Sequence, residues 1–395
     1  MSMATDAAPL PPTGLRLSMT LALQGAILGT FFAASAAPTP LYRLYQEQWG
    51  FSPTMLTLVF ASYAFGLLAA LLTIGALSDH VGRRPVIFGA LALELASMAL
   101  FFAAADVNHL ILARLVQGYA SGAATAAIGA GVIDCDRRVG PLVSSITPMV
   151  GMAVGALGAA TLILYAPAPL HLVYALLGGL FALQAALIWA TPETGPTKPG
   201  ALGSLVPRVR VPVAARSMLL RVSAPNIALW SVGAFSLSLM PSLVKAATGI
   251  TSPILGGLLV CALTLPGASA VLLMRPVAPP LGLRICSLLV AGGFLVILAG
   301  THVGSAPVMV GGMLVTGFGF GGAFMNAVRL LVPLATPGER GMLLSAFYVE
   351  SYLAFSLPAL AAGALAHTLG LVVTADLYGA FIILLALTGA LVRLP

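Results

Sequence analysis

Two carboxylates and two guanidinium groups lie inside long apolar stretches of this chain: Glu94, Arg114, Arg329 and Glu350. A charge at the centre of a membrane-spanning helix costs about 2.5–3.5 kcal/mol on insertion scales, so such groups are kept for ion pathways, proton relays or fixed pairs. Burial disfavours the ionised form of a carboxyl group and a nearby cation favours it. A site that alternates between those surroundings loads and releases a proton. Glu350 is the stronger candidate. It lies nine residues beyond Gly341, about 13 Å at 1.5 Å per residue, and Arg329 stands about 10 Å from Thr336 on the preceding run. Their matched depth predicts a pair, acting either as a proton switch or as a static ion pair that orients helices. Glu94 has the same two readings, coupling or a structural polar contact.

Around these charges the polar residues are periodic. Arg114, Gln117, Gly118, Ser121, Gly122 and Thr125 recur at spacings of three and four, which puts them on one helical face. Gly312, Thr316, Gly319, Gly322, Asn326 and Arg329 make a second such face. In lipid, polar faces turn inward, and two of them predict a central cavity. Packing through small residues accounts for the glycines but not for Arg114, Gln117, Asn326 or Arg329. Gln24, Asn226 and Trp230 are further cavity candidates, although each taken alone reads as a packing or interface residue. Tyr348 and Tyr352 share a face that points nearly opposite to Glu350. The sequence leaves open which of the two faces lines the cavity.

The elements that must carry these groups are membrane spans. Mean hydropathy is +1.05, 59% of residues are hydrophobic and 7% are charged, where a soluble domain carries about 25%. Runs of about 20 apolar residues fall at 16–37, 54–77, 85–105, 109–132, 141–165, 169–190, 223–245, 253–274, 282–300, 306–334, 342–365 and 371–392, twelve in all. They are continuous and do not alternate, which excludes a β-barrel. With the N-terminus inside, the cytoplasmic segments hold 14 Lys and Arg residues and the external ones only Arg43 and Lys245. This satisfies the positive-inside rule and puts both termini in the cytoplasm. The net charge of +7 is scattered over short loops, unlike the gathered basic face of a nucleic-acid binder. Cys135, Cys261 and Cys286 predict no disulfide, and neither cysteines nor histidines have metal-ligand spacing.

Between the second and third runs stands a polar island, Gly75-Ala-Leu-Ser-Asp79-His-Val-Gly82-Arg83-Arg84-Pro85. In that position it resembles the loop between spans 2 and 3 of major facilitator superfamily transporters. Leu110-x-x-x-Arg114-x-x-Gln117-Gly118 is similar to the span-4 motif of the proton antiporters in that superfamily. Gly151-x-x-x-Gly155-Ala-Leu-Gly158 resembles a degraded span-5 motif, with Ala156 where a proline is usual.

The resemblance implies an all-α integral membrane protein with twelve transmembrane helices in two pseudo-symmetric six-helix bundles. On that plan residues 1–14 are a disordered tail, 15–194 the first bundle, 195–222 a basic cytoplasmic linker and 223–395 the second bundle. The resemblance further implies a cytoplasmic gate of Gly75, Asp79, Gly82, Arg83 and Arg84. Asp79 would meet the positive end of span 11 near Gly341 and Met342, and Arg83 would pair with Asp134 or Asp136. His80 departs from the basic residue usual at its place. The expected activity is proton-coupled export of a small apolar or amphipathic solute across the inner membrane, with proton-coupled uptake as the alternative. No Walker-type phosphate loop is present, so the proton gradient rather than a cofactor is the expected driving force. No nucleic-acid partner and no enzymatic constellation are expected. The partners foreseen are solute, protons and lipid, and the chain is expected to be a monomer. A non-transporting sensor or a membrane enzyme is the reading from another class.

Overall fold

The computed structural model describes residues 14–195, 197–207, 209–336 and 338–392. Most of the expected tail (1–13), Arg208 and Arg393 lie outside the described residues. Twelve long helices follow the predicted runs. They are α1 (Gly14–Ala36), α2 (Pro53–Thr73), α3 (Arg83–Phe102), α4 (Val107–Cys135), α5 (Gly140–Tyr165) and α6 (Pro169–Leu187), then α7 (Val213–Ser238), α8 (Pro253–Leu273), α9 (Pro279–Val303), α10 (Ala306–Leu331), α11 (Arg340–Leu369) and α12 (Leu371–Leu391). Among the described residues there is no strand, only an isolated bridge between Val81 and Thr197. Eleven of the twelve are long and apolar enough to cross a membrane. The exception, α4, carries the Arg114 face and lies deep among its neighbours, with Arg114, Gln117 and Ser121 at most 1% exposed.

Local chemistry sets the helix boundaries. Ser52 caps α2 by accepting from the Met55 amide at 3.2 Å, with Pro53 in the first turn. Asp106 caps α4 through the Asn108 and His109 amides. The seventh helix begins ten residues earlier than its apolar run, at Val213. Pro212 precedes it, and Ala, Met and Leu carry the helix past Arg216 and Arg221 before the apolar stretch begins. Both α1 and α7 break and then continue as short helices, Pro38–Trp49 and Met240–Thr248, each ending at a left-handed glycine, Gly50 and Gly249. The same device at the same place in both halves is a structural trace of the internal repeat.

Residues 27–188 supply nearly all of one apolar core, and residues 215–386 supply two more. The halves meet along α2 against α11 and α5 against α8. Among the described residues, four polar contacts cross between them. Arg43 donates to the Thr251 carbonyl, Lys245 lies 3.8 Å from Glu47, Thr54 donates to the Gly363 carbonyl at 3.1 Å, and Cys261 reaches the Ala153 carbonyl at 3.5 Å. All four lie toward the end of the bundle opposite the 75–85 loop. At the loop end Gly341 is exposed, with no atom within 4 Å of where its Cβ would stand.

Candidate functional site

In the first half, three polar side chains form a chain through the interior. Arg114, 1% exposed, donates to the Tyr42 hydroxyl, to the Ser35 carbonyl at 2.8 Å and to Gln117 Oε1 at 2.6 Å. Its guanidinium also lies 5.3–5.4 Å from the ring centroids of Tyr42, Phe60 and Tyr63, the arrangement in which the aromatic quadrupole attracts a cation. Gln117 Nε2 donates in turn to Glu94 Oε1 at 3.1 Å. Glu94 is fully enclosed, and its Oε2 has no hydrogen-bond partner. The amide of Gln117 therefore sits between the acid and the cation, its oxygen toward one and its nitrogen toward the other. Tyr42, contributed by the short helix after α1, was not legible as part of this set.

In the second half, Glu350 is half-buried between α11 and α7. It accepts from Ser223 Oγ at 2.6 Å and from Asn226 Nδ2 at 2.9 Å. Asn226 also donates to Ser351 at 3.0 Å. The predicted Arg329 pair is absent. Arg329 donates to the Met274 and Val277 carbonyls at 3.4 and 3.1 Å and to Asn326 Oδ1 at 3.2 Å, and it closes the C-terminal end of α8. Matched depth gave the two residues a common height, but their side chains leave their helices in different directions.

The second polar face also has a different use. Gly312 and Thr316 of α10 press against Gly293 of α9, and Gly319 presses against Cys286 and Val290. Asn326 donates to the Gly322 carbonyl at 2.8 Å and lies against Gly282 of α9. This face is helix packing, and Asn326 and Arg329 stand on it rather than on a cavity. Gly118 and Gly122 likewise meet α2, while Arg114 and Gln117 turn into the interior. Gln24 is fully buried against Gly131 with both amide atoms unpartnered, and Ser121 Oγ is unpartnered too.

On α11 the tyrosine face joins an aromatic cluster with α7 and α10. Tyr352 lies 4.8 Å from Trp230 and 6.3 Å from Tyr348, and Phe324 of α10 lies 5.9 Å from Trp230. Phe355 extends this wall and packs against the first half's core. Trp230, Phe324, Tyr348 and Tyr352 are all half-buried, and Trp230 Nε1 has no partner. A separate groove of about 700 Å³ lies between α1, α5 and α6, away from every charged group described above.

At the loop end, Ser78–Val81 is a single helical turn and Gly82 opens α3 with φ at 93°. Arg83 donates to Asp79, to Ser78 Oγ at 2.7 Å and to Asp134 Oδ2 at 3.0 Å. Asp134 is thus the partner below α4. Asp136 instead accepts from the Arg138 and Val139 amides at 2.7 and 2.9 Å, which hold its carboxyl below the usual range. The expected contact of Asp79 with the start of α11 is not made. Its side chain is 53% exposed and turned to Arg83, because the halves are not joined at this end.

Glu193 was missed. Its carboxylate accepts from the Arg83 and Arg84 amides at 2.7 and 3.0 Å and lies 3.8 Å from the Arg84 guanidinium, so it caps α3 from the other side of the sequence. A Cβ on Gly82 would fall 2.7 Å from it, so this position needs glycine for space as well as for φ. The linker continues along the loop, with the Lys198 amide donating to the His80 carbonyl at 2.9 Å.

This architecture has relatives. The sequence profile of the Major Facilitator Superfamily matches residues 21–358. The chain belongs to that superfamily. As a member of the Major Facilitator Superfamily it is a multi-pass membrane protein. It is 34% identical over 119 residues to the multidrug resistance protein MdtL of Shewanella oneidensis, a match covering 28% of this chain and 30% of that protein. In structure it resembles a bacterial homologue of the human lysosomal transporter Spinster, solved facing inward and unoccupied. The TM-score is 0.76 at 14% identity, over 96% of this chain and 97% of that one. It also resembles the peptide transporter POT, with a TM-score of 0.75 at 13% identity, over 93% and 92%. At these identities the superfamily members share the fold.

Proposed function

We propose that the protein is a proton-coupled secondary transporter that exports a small apolar or amphipathic solute by alternating access. The observation that carries the coupling is Glu350, a half-buried membrane carboxylate held between α7 and α11 by two neutral donors at 2.6 and 2.9 Å. A carboxylate so placed changes its interaction with both helices when it gains or loses a proton. Glu94, enclosed and bonded to the Gln117 amide, is the second candidate. Export is favoured by the name of the MdtL relative, and orientation by the basic residues gathered on one side. With both termini in the cytoplasm of a cell whose inner membrane holds this protein as a monomer, the joined end is external. The arrangement described is then the inward-open one. The Asp79 contact with α11 belongs to the opposite state, when the cytoplasmic ends close.

The test is reconstitution in proteoliposomes with an imposed pH gradient. Glu350→Gln should abolish gradient-driven flux while solute exchange without a gradient survives. Glu94→Gln measured beside it assigns the coupling acid. Wild-type flux from both stable variants would refute proton coupling through either residue. Solute accumulation in the direction opposite to export would replace the exporter with the uptake reading, which shares the same geometry.

A further inference from the structure

The groove of about 700 Å³ in the first half has α1 as its floor and α5 and α6 as its walls. On α1 its lining runs from Ser18 to Ala37, about 28 Å at 1.5 Å per residue, which nearly matches the hydrocarbon core of a bilayer at about 30 Å. The lining is apolar except for Ser18, Thr30 and Thr147, and Thr30 already accepts from Gln184 Nε2 at 2.8 Å. Val154, Leu176 and Leu180 line the groove and are nevertheless 63, 55 and 42% exposed. The groove therefore opens sideways, toward lipid.

The second half closes the corresponding place. The buried Tyr174, Phe181 and Ala185 of α6 have the same spacing as the buried Ala375, Ile382 and Ala386 of α12, which sets Leu177 where α12 has Tyr378. Tyr378 reaches across to α7, stacking on Phe235 at 4.9 Å and donating to the Ser231 carbonyl at 3.0 Å. Leu177 is shorter, and it lines the groove instead. One end of the groove is positively charged. Gly25 and Gly29 of α1 lie against Val143 and Thr147 of α5, a register that brings Ser18 close to the height of the turn at 137–139. Arg16, Arg137 and Arg138 stand at that end, all exposed. Among the described residues none of the three has a carboxylate within 4 Å. Asp136, beside them, accepts from backbone amides.

We propose that this groove binds an anionic phospholipid, with one acyl chain lying along α1 between α5 and α6 and the phosphate held by Arg16 and the Arg137–Arg138 turn. The apolar trough suits the chain, since it is open to the bilayer along the chain's own direction. The arginines suit the headgroup, because basic side chains at the membrane surface attract anionic lipid. A zwitterionic lipid has the same chains but lacks the net charge. The lipid belongs to the cytoplasmic leaflet on the orientation proposed above. The site itself does not depend on what the protein transports, and it is tested by binding rather than by flux.

The probe is palmitoyl-oleoyl phosphatidylglycerol, compared with phosphatidylcholine of the same chains. Each is added to the purified, delipidated full-length protein in a neutral detergent, and bound lipid is counted by native mass spectrometry. Wild type should hold one phosphatidylglycerol in clear preference to phosphatidylcholine. Arg16→Gln and Arg137→Gln should each narrow that preference about fivefold, the worth of one basic side chain near an anionic surface. Gly158→Phe puts a ring into the groove, and a Cβ at Gly158 meets no atom within 4 Å, so the fold has room for it. This variant should lose the bound lipid. Val154→Phe fills the groove from the next turn and should do the same if Gly158→Phe does not fold. Gly179→Phe on α6 has equal room but lies outside the lining, and it should bind as wild type does. Equal retention of the two lipids by wild type would mean an unselective lipid shell and would overturn the assignment. So would binding unchanged by both groove-filling variants, or lost equally in Gly179→Phe. A dimer seen by light scattering that Gly158→Phe dissociates would also overturn it, and would give the groove to a second copy of the chain.

Discussion

Replacing Gly363 by alanine should prise α2 and α11 apart at the end where the halves meet. An alanine Cβ there would lie 2.1 Å from Thr57 Oγ1, 2.9 Å from its Cγ2 and 3.0 Å from its Cβ. Thr57 cannot simply turn away. It is β-branched and stiff about χ1, and its hydroxyl donates to the Thr54 carbonyl at 2.9 Å. One helix must retreat by about 1 Å, and overpacking of this kind costs about 1–3 kcal/mol. The helix-propensity gain of alanine over glycine, about 1 kcal/mol, applies whether or not the ends are joined and so does not offset the shift. The population joined at that end should fall roughly 5- to 150-fold against the alternative. Spin labels at Gln48 and His367, one exposed residue from each half at that end, would report the change as a longer distance. Thr57→Ala removes two of the three clashing atoms, so the double variant should return to the wild-type distance. An unchanged distance in Gly363→Ala, or a shift that Thr57→Ala fails to reverse, would refute the reasoning.

Three further outcomes follow from the same geometry. Cysteines introduced singly over 197–207 should react with impermeant reagents only from the cytoplasmic side, and labelling from outside would invert the topology. Glu193→Gln should weaken the cap on α3 by about 1 kcal/mol, seen as roughly fivefold faster amide exchange at Arg83 and Arg84; unchanged exchange would show that the carboxylate charge adds nothing there. Asp136 has a lowered carboxyl pKa because two backbone amides point at it. Its contribution is present above the ordinary carboxylate range and is lost as pH falls through the lowered folded value. Wild type should therefore lose its stability advantage over Asp136→Ala as pH falls below the ordinary aspartate range, and a pH-independent difference would contradict this.

The spans were legible because a helix must bury a whole membrane thickness of apolar residues, a signal that survives the loss of every other detail. Their polar extensions were not. The start of α7 at Val213 lies among basic residues, where hydropathy is silent and only helix propensity speaks. The pairing of Arg83 was legible down to two acids, and geometry chose Asp134. The Arg329–Glu350 pair failed because counting residues fixes height along the bundle but not direction around a helix. The face of α10 failed for another reason: glycine, threonine and asparagine suit a close helix contact and a polar cavity equally well. Only the neighbour across the contact distinguishes the two. Glu193 was hidden by distance, since a cap drawn from 110 residues away leaves no local pattern. Ser223 could have been found from its spacing of three from Asn226.

The glycine contacts of α10 have a mechanical consequence. Gly317 and Gly321 meet backbone atoms of α8, while Gly312 and Gly319 meet backbone atoms of α9. Side chains can absorb a displacement by changing rotamer, but main chain against main chain cannot. Three neighbouring helices of the second half are thus locked into a stiff plate with little internal give. When one end of such a plate tilts, the other end follows at nearly full amplitude. A small displacement at one end of these three helices is then felt across the full thickness of the membrane.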